Sequence, residues 1–179
     1  PQASPALPDL EQRIAGDSET MIRVRWQMSG LAPLGTPVLV SGEEGTGRRS
    51  VIRALHELGF SASGPLTSLD AEDFQLPFRL EAPGALHLSN IEALSKEGQA
   101  YWANRIQHSE EESYRGRLRF FASPQRHPAE LADEGFHPVL LRTLLRFHIE
   151  LPALQIRSQD IPAIAEVLSA RIGERLGRS

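Results

Sequence analysis

The chain contains no cysteine, which excludes disulfides and thiolate metal sites outright. Lysine is almost absent: Lys96 is the only one, so arginine carries nearly all the positive charge. No apolar run approaches the roughly 18 residues of a membrane-crossing helix. The opening PQASPALPDL lacks the basic-then-apolar order of a signal peptide. An excess of positive charge is also missing. The formal net charge is −4, which gives no basis for strong nonspecific binding to DNA or to anionic membranes. Six histidines (His56, His87, His108, His127, His137 and His148) include no pair with the spacing of a metal motif on one element. What is present is 179 residues, 40% hydrophobic and 23% charged, enough for a single packed core. The cytoplasm is the expected compartment, with no membrane contact.

Residues 1–12 open on a stretch rich in proline, alanine and serine and read as a linker. Residues 171–179 stop inside a helical pattern with no capping signal, which suggests a piece of a longer chain. Between them, strand and helix signals alternate. Ser18 can cap a helix whose apolar residues are Met21, Ile22, Val24 and Trp26. Short apolar runs at residues 36–40, 85–88, 118–122 and 147–151 read as strands, with a weaker one at 66–69. Helical spacing covers residues 48–58, 96–107, 139–145 and 160–176, where Pro162 is tolerable in a first turn. This alternation predicts a parallel sheet covered on both faces.

The segment GEEGTGRR, residues 42–49, follows a strand and opens a helix, the context a phosphate-binding Walker A loop requires. Glycines at Gly42, Gly45 and Gly47 let the backbone aim N–H groups at one point, and the helix N-terminus adds positive partial charge. Glu44, Thr46, Arg48 and Arg49 complete the candidate nucleotide-binding set. The motif's lysine position holds Arg48, which keeps the charge but is longer, planar and forked.

Five segments, in order, resemble the sigma-54-dependent transcriptional activators, bacterial enhancer-binding AAA+ proteins. GEEGTGRRSVIRALHELG is similar to their G-E-S-G-T-G-K-E opening. Residues 16–21, GDSETM, resemble G-x-S-x-x-M. Residues 78–91, FRLEAPGALHLSNI, resemble F-E-x-A-x-G-G-T-L-F-L-D-E-I. Residues 118–125, LRFFASPQ, resemble V-R-I-I-A-A-T-N. Residues 136–161 resemble F-R-E-D-L-Y-Y-R-L-N-V-x-x-I-x-L-P-P-L-R-E-R-x-E-D-I. The resemblance implies a three-layer α/β P-loop NTPase core at residues 13–157. Its five-stranded parallel sheet would have the order 5-1-4-3-2, and a helical lid would begin in residues 158–179. It also implies homo-oligomers, and sensor and DNA-binding domains elsewhere in the full-length chain, so that this segment would not itself contact DNA.

The departures from the pattern set the functional expectation. Ser89 and Asn90 stand where the family has the Walker B Asp-Glu pair, so Mg²⁺ loses a ligand and the attacking water loses a base. Pro124 and Gln125 replace the sensor pair, where Gln125 retains a polar head to reach a γ-phosphate. His137 and Thr143 occupy the two arginine-finger positions; such a finger is worth about 10³–10⁵ in rate in other phosphoryl-transfer systems. Between Phe60 and Phe78 there is no room for the insertion carrying G-A-F-T-G-A that touches the sigma factor. The expectation is a pseudo-ATPase without catalytic residues or a metal site. It would bind ATP or ADP weakly and Mg²⁺ poorly, and would not touch sigma-54. Cyclic di-GMP, which some relatives bind near the Walker A loop, is a further candidate ligand. Two alternatives remain: an active ATPase using Glu92 or Glu81 as base, and a nucleotide-free protein-interaction scaffold.

Other residues have plainer readings. His87, inside a strand, reads as a hydrogen-bonded core residue, and His137 as a surface residue. The acidic run at residues 110–112 reads as a solvated loop. Trp26 and Trp102 read as core or interface residues. Asp160 reads as a residue favouring the start of its own helix, with Ser158 as a cap, whereas Arg157 stays open between that helix start and the adenine edge of a nucleotide.

Overall fold

The structure, a computed structural model, describes residues 7–59, 61–78, 84–109 and 118–177. Five strands form one parallel sheet: β1 (Val38–Ser41), β2 (Leu66–Asp70), β3 (Ala85–Ser89), β4 (Arg119–Ser123) and β5 (His148–Glu150). Their spatial order is β2-β3-β4-β1-β5, the expected 5-1-4-3-2 read from the other edge. Seven helices connect or flank them: α1 (Leu7–Arg13), α2 (Glu19–Leu31), α3 (Arg48–Glu57), α4 (Lys96–Ser109), α5 (Pro128–Asp133), α6 (Pro138–Leu145) and α7 (Ile161–Arg175).

The period of two along each strand sends alternate side chains to opposite faces and so builds two cores. Val38, Val40 and Phe121 pack with Leu10, Met21, Val24, Met28, Ile52 and Leu55 of α1, α2 and α3. Leu39, Leu86, Leu88 and Phe120 pack on the other face with Trp102, Ile106, Leu131, Leu140 and Leu144 of α4, α5 and α6. Trp102 is the centre of that second core, with the Phe120 ring 4.7 Å and the Phe74 ring 5.7 Å away. These helices sandwich the sheet, the three-layer arrangement expected of the sequence.

Arg119 is buried at the start of β4 and links three elements. Its guanidinium donates to the carbonyls of Leu31 (2.8 Å) and Ala32 (2.8 Å) at the end of α2 and of Leu55 (3.0 Å) in α3. Those are orphan carbonyls at helix C-termini, where a cation also meets the negative end of the dipole.

Several expectations need correction. The linker does not run through residue 12: Leu7–Arg13 is helical, and Leu10 is fully buried in the first core because α1 packs on α2 and α3. Trp26 is 72% exposed and Ile22 50%, because α2 buries Met21, Val24 and Met28 at spacings of three and four and those two fall off that face, so of the two readings of Trp26 the core one is corrected and the interface one is untouched. A 3-10 stretch, Leu154–Asp160, precedes α7, so Ser158 lies within that stretch rather than capping the helix. Asp160 serves a helix N-terminus, but that of α2. Its carboxylate accepts from the backbone N–H of Asp17 (2.9 Å) and Ser18 (2.8 Å) and from the Ser18 hydroxyl (2.6 Å). Ser18 in turn caps α2, its hydroxyl accepting from the Met21 N–H at 3.3 Å. Glu81 and the acidic run at 110–112 lie outside the described residues.

Candidate functional site

β1 ends at Ser41, and the chain turns through residues 42–47 into α3 at the carboxyl ends of the strands. Gly42 has φ +140° and no room for a side chain: a Cβ would lie 2.8 Å from the Leu151 carbonyl oxygen and 2.9 Å from Thr46 Oγ1. Gly47, φ +101°, is the N-cap of α3 and offers no side-chain cap, so the first-turn N–H groups of α3 stay open toward the cleft. Thr46 is buried and its hydroxyl donates to the Glu43 carbonyl at 2.7 Å, closing the loop on itself. Arg157, 2% exposed, straps the loop from the far side. Its Nη2 donates to the Thr46 carbonyl at 2.8 Å and its Nε to the Pro152 carbonyl at 3.0 Å. The residue left open between a helix start and an adenine edge thus braces the loop, and it also lines the cleft above it.

Above the loop lies a cleft of about 650 Å³. Glu44, Gly45, Thr46, Gly47, Arg48 and Arg49 line it; Gly42 sits at its root and does not. The ends of β2, β3 and β4 contribute Asp70, Ser89 and Ser123, followed by Asn90 and Gln125. An apolar wall comes from Ile14, Met21 and Leu154 with Ile164, Val167 and Leu168 of α7. This position, outside the carboxyl ends of parallel strands, is where open α/β sheets take ligands.

The two arginines behave differently. Arg48 reaches across to donate to the Pro124 carbonyl just beyond β4. Arg49 is exposed and has no hydrogen-bonded partner among the described residues, yet its charge acts on both Asp70 and His87. Burial would raise the Asp70 carboxyl. The Glu72 N–H, the Ser89 hydroxyl, Asn90 and the charge of Arg49 outweigh it and hold Asp70 below the usual carboxylate range. His87 lies in the floor of β3, 1% exposed, between the hydroxyls of Ser123 (2.8 Å from Nε2) and Ser68 (3.4 Å from Nδ1). Burial first, then the charges of Arg49 and Arg48, bring its pKa from 6.5 to about 4, so it is a neutral core residue as its strand position predicted.

The positions that depart from the family pattern are engaged elsewhere. Ser89 pairs in register with Asp70 and its hydroxyl donates to Asp70 Oδ2 at 2.9 Å. Asn90, at φ +55°, donates to Glu72 Oε1 at 3.1 Å. Glu92 accepts from the N–H groups of Gln125 (2.9 Å) and Arg126 (3.0 Å) and does not line the cleft. His137 caps α6, its Nδ1 accepting from the Leu140 N–H at 3.4 Å. The Thr143 hydroxyl donates to the Val139 carbonyl one turn back at 2.9 Å. Asp70 and the α7 wall escaped the sequence reading: Asp70 carries no motif, and a lid helix shows only its own periodicity. Among the described residues no three His, Asp or Glu side chains gather as a metal site, and no helix is long and apolar enough to cross a membrane.

Comparison with known proteins agrees with this architecture. A 30% identity relates the chain to the Nif-specific regulatory protein of Azotobacter vinelandii, covering 94% of this chain and 38% of that protein. The C4-dicarboxylate transport transcriptional regulatory protein DctD of Pseudomonas aeruginosa is 27% identical, over 87% of this chain and 40% of its own. The chain thus spans about two-fifths of the length of these relatives. Among solved structures, NtrX from Brucella abortus in complex with ADP superposes with a TM-score of 0.74 at 22% identity, covering 96% of this chain and 46% of that one. The P-loop NTPase domain of a sigma-54 transport activator from E. coli gives 0.64 at 24% identity, covering 78% of this chain and 99% of that one. At these identities the superpositions speak for the fold, a P-loop AAA+ core. The family model described as the Sigma-54 interaction domain matches residues 15–154, from the turn before α2 to the start of the 3-10 stretch, and the chain belongs to that family.

Proposed function

We propose that this domain is a nucleotide-binding or oligomerising regulatory module of a bacterial transcriptional regulator, with little or no ATP hydrolysis. The observation that carries the reading is the engagement of the four catalytic positions. Ser89 and Asn90 are neutral and tied to Asp70 and Glu72, while His137 and Thr143 bond to the backbone of their own helix. None supplies the general base, or the mobile cation from a neighbouring subunit, that phosphoryl transfer uses. Anion binding is supported by what remains: open N–H groups at the start of α3 and two arginines over them. The apolar wall from α7 and residues 14 and 21 suits the flat face of a base, and NtrX, a fold neighbour, was crystallised with ADP. Cyclic di-GMP, whose phosphates and bases ask for the same two surfaces, stays a candidate.

The active-ATPase alternative loses support at Glu92, whose carboxylate holds the loop after β4 instead of facing the cleft. Absence of the sigma-54 contact insertion is supported by length. The alignment with the Nif-specific regulator runs over 199 positions, so that relative carries residues with no counterpart in these 179. The rest of the proposal follows the family. Residues 13–157 act as the core and 158–179 as the start of a lid. Copies of the chain assemble in the cytoplasm, and sensor and DNA-binding domains belong to the same full-length protein.

The test is a turnover assay of the purified domain at saturating Mg-ATP, beside calorimetric titration with ATP, ADP and cyclic di-GMP. Binding without turnover is expected. A rate near one per second would defeat the pseudo-ATPase reading, and silence toward every nucleotide would favour the protein-interaction scaffold.

A further inference from the structure

The cleft's charge pattern does not fit the divalent metal that P-loop sites of this fold employ. Mg²⁺ asks for near-octahedral oxygen ligands: one or two carboxylates, ligand phosphates, and the hydroxyl that follows the loop's lysine. Here the residue following Arg48 is Arg49, a cation, where the family's G-E-S-G-T-G-K-E pattern carries an acid. The Thr46 hydroxyl is turned to the Glu43 carbonyl, and the Ser123 hydroxyl is paired with His87. Asp70 is the one acid at the strand ends in the cleft among the described residues. Each of its oxygens already accepts one hydrogen bond, from the Glu72 N–H at 3.1 Å and the Ser89 hydroxyl at 2.9 Å. The other cleft arginines are engaged, Arg157 beneath the loop, Arg13 with Glu57 and Arg48 with the Pro124 carbonyl, which leaves Arg49 exposed at the rim.

We propose that the cleft binds a nucleoside polyphosphate as the metal-free anion, with the Arg49 guanidinium, balanced by Asp70, standing in the place of the divalent cation. This rests on the reading that the cleft binds nucleotide. A forked guanidinium satisfies two phosphate oxygens at once, which a residual hydroxyl cannot do. Mg²⁺ neutralises the same oxygens, so it competes with Arg49 instead of assisting it.

The experiment is calorimetric titration of the protein with ATP, ADP and inorganic pyrophosphate, each in EDTA and again in excess Mg²⁺, for the wild type, Arg49→Ala and Arg49→Lys. Binding in EDTA at least as tight as in Mg²⁺ is expected. Arg49→Ala should weaken it about tenfold or more, a charge-assisted hydrogen bond's worth, and Arg49→Lys should weaken it by less. Arg49 is exposed, so its replacement leaves the fold intact. A second readout needs no calorimetry: pyrophosphate in EDTA should raise the titration midpoint of the His87 imidazole, followed by NMR, by offsetting the arginine charges that depress it. Binding that requires Mg²⁺ overturns this inference and leaves nucleotide binding standing. No binding in either buffer overturns both.

Discussion

Protonating His87 should cost the fold a large part of its stability, because the imidazole is buried and neutral. The imidazole is 1% exposed and titrates at about 4 when folded, against 6.5 when free. A folded-state pKa below the unfolded one means that the unfolded chain binds more protons between those values. The stabilisation is therefore complete above pH 6.5 and is lost as pH falls toward 4. At 1.36 kcal/mol per pKa unit the full loss is about 3 kcal/mol, a large fraction of a small domain's stability. His87→Leu isolates it. At pH 7.5 the variant should be less stable by about 1–2 kcal/mol, because the Ser123 and Ser68 hydroxyls lose their partner. Near pH 4.5 the order should reverse, because leucine does not titrate. Urea unfolding at several pH values between 7.5 and 4.5 gives both curves. Burial also lowers His56 and His148, but they act on wild type and variant alike and cancel in the difference. Parallel curves, with no crossing, would refute the argument that a buried neutral imidazole sits in β3.

Three further outcomes are expected. Asp160→Ala should destabilise the fold by about 3 kcal/mol, since its carboxylate accepts three hydrogen bonds at the start of α2; limited proteolysis should then cut between β5 and α7 first. Gly42→Ala should cost about 2 kcal/mol or more, because φ is +140° and the added methyl would meet the Leu151 carbonyl, and calorimetric nucleotide binding should fall with it. Arg119→Met should lower the unfolding free energy by about 3 kcal/mol in a denaturant titration, because three helix-terminal carbonyls lose a charged donor.

The sequence exposes those features whose cause is local. β1, β3 and β4 are short apolar runs in the middle of a sheet, with glycine or proline nearby, and a buried parallel strand leaves that signature whatever surrounds it. The loop at residues 42–47 is likewise legible, because glycine is what its backbone angles require at Gly42 and Gly47. Destinations across the chain are not legible. Asp160 finds Ser18 over a separation of 142 residues, and nothing within one turn of either predicts it. Leu10 is fully buried although its neighbours are prolines and acids, because α1 packs on α2 and α3, which its own segment does not announce. The identity of Arg48 was readable, but its reach to the Pro124 carbonyl was not. The acid facing Ser89 from the next strand depends on register, which a single strand's pattern does not carry.

Arg157 grips the Thr46 peptide and Asp160, three residues on, grips the Ser18 turn, so the base of α7 is fastened both to the glycine loop and to the start of α2. Neither the glycine loop nor the start of α2 can therefore shift against the base of α7 without breaking a buried hydrogen bond.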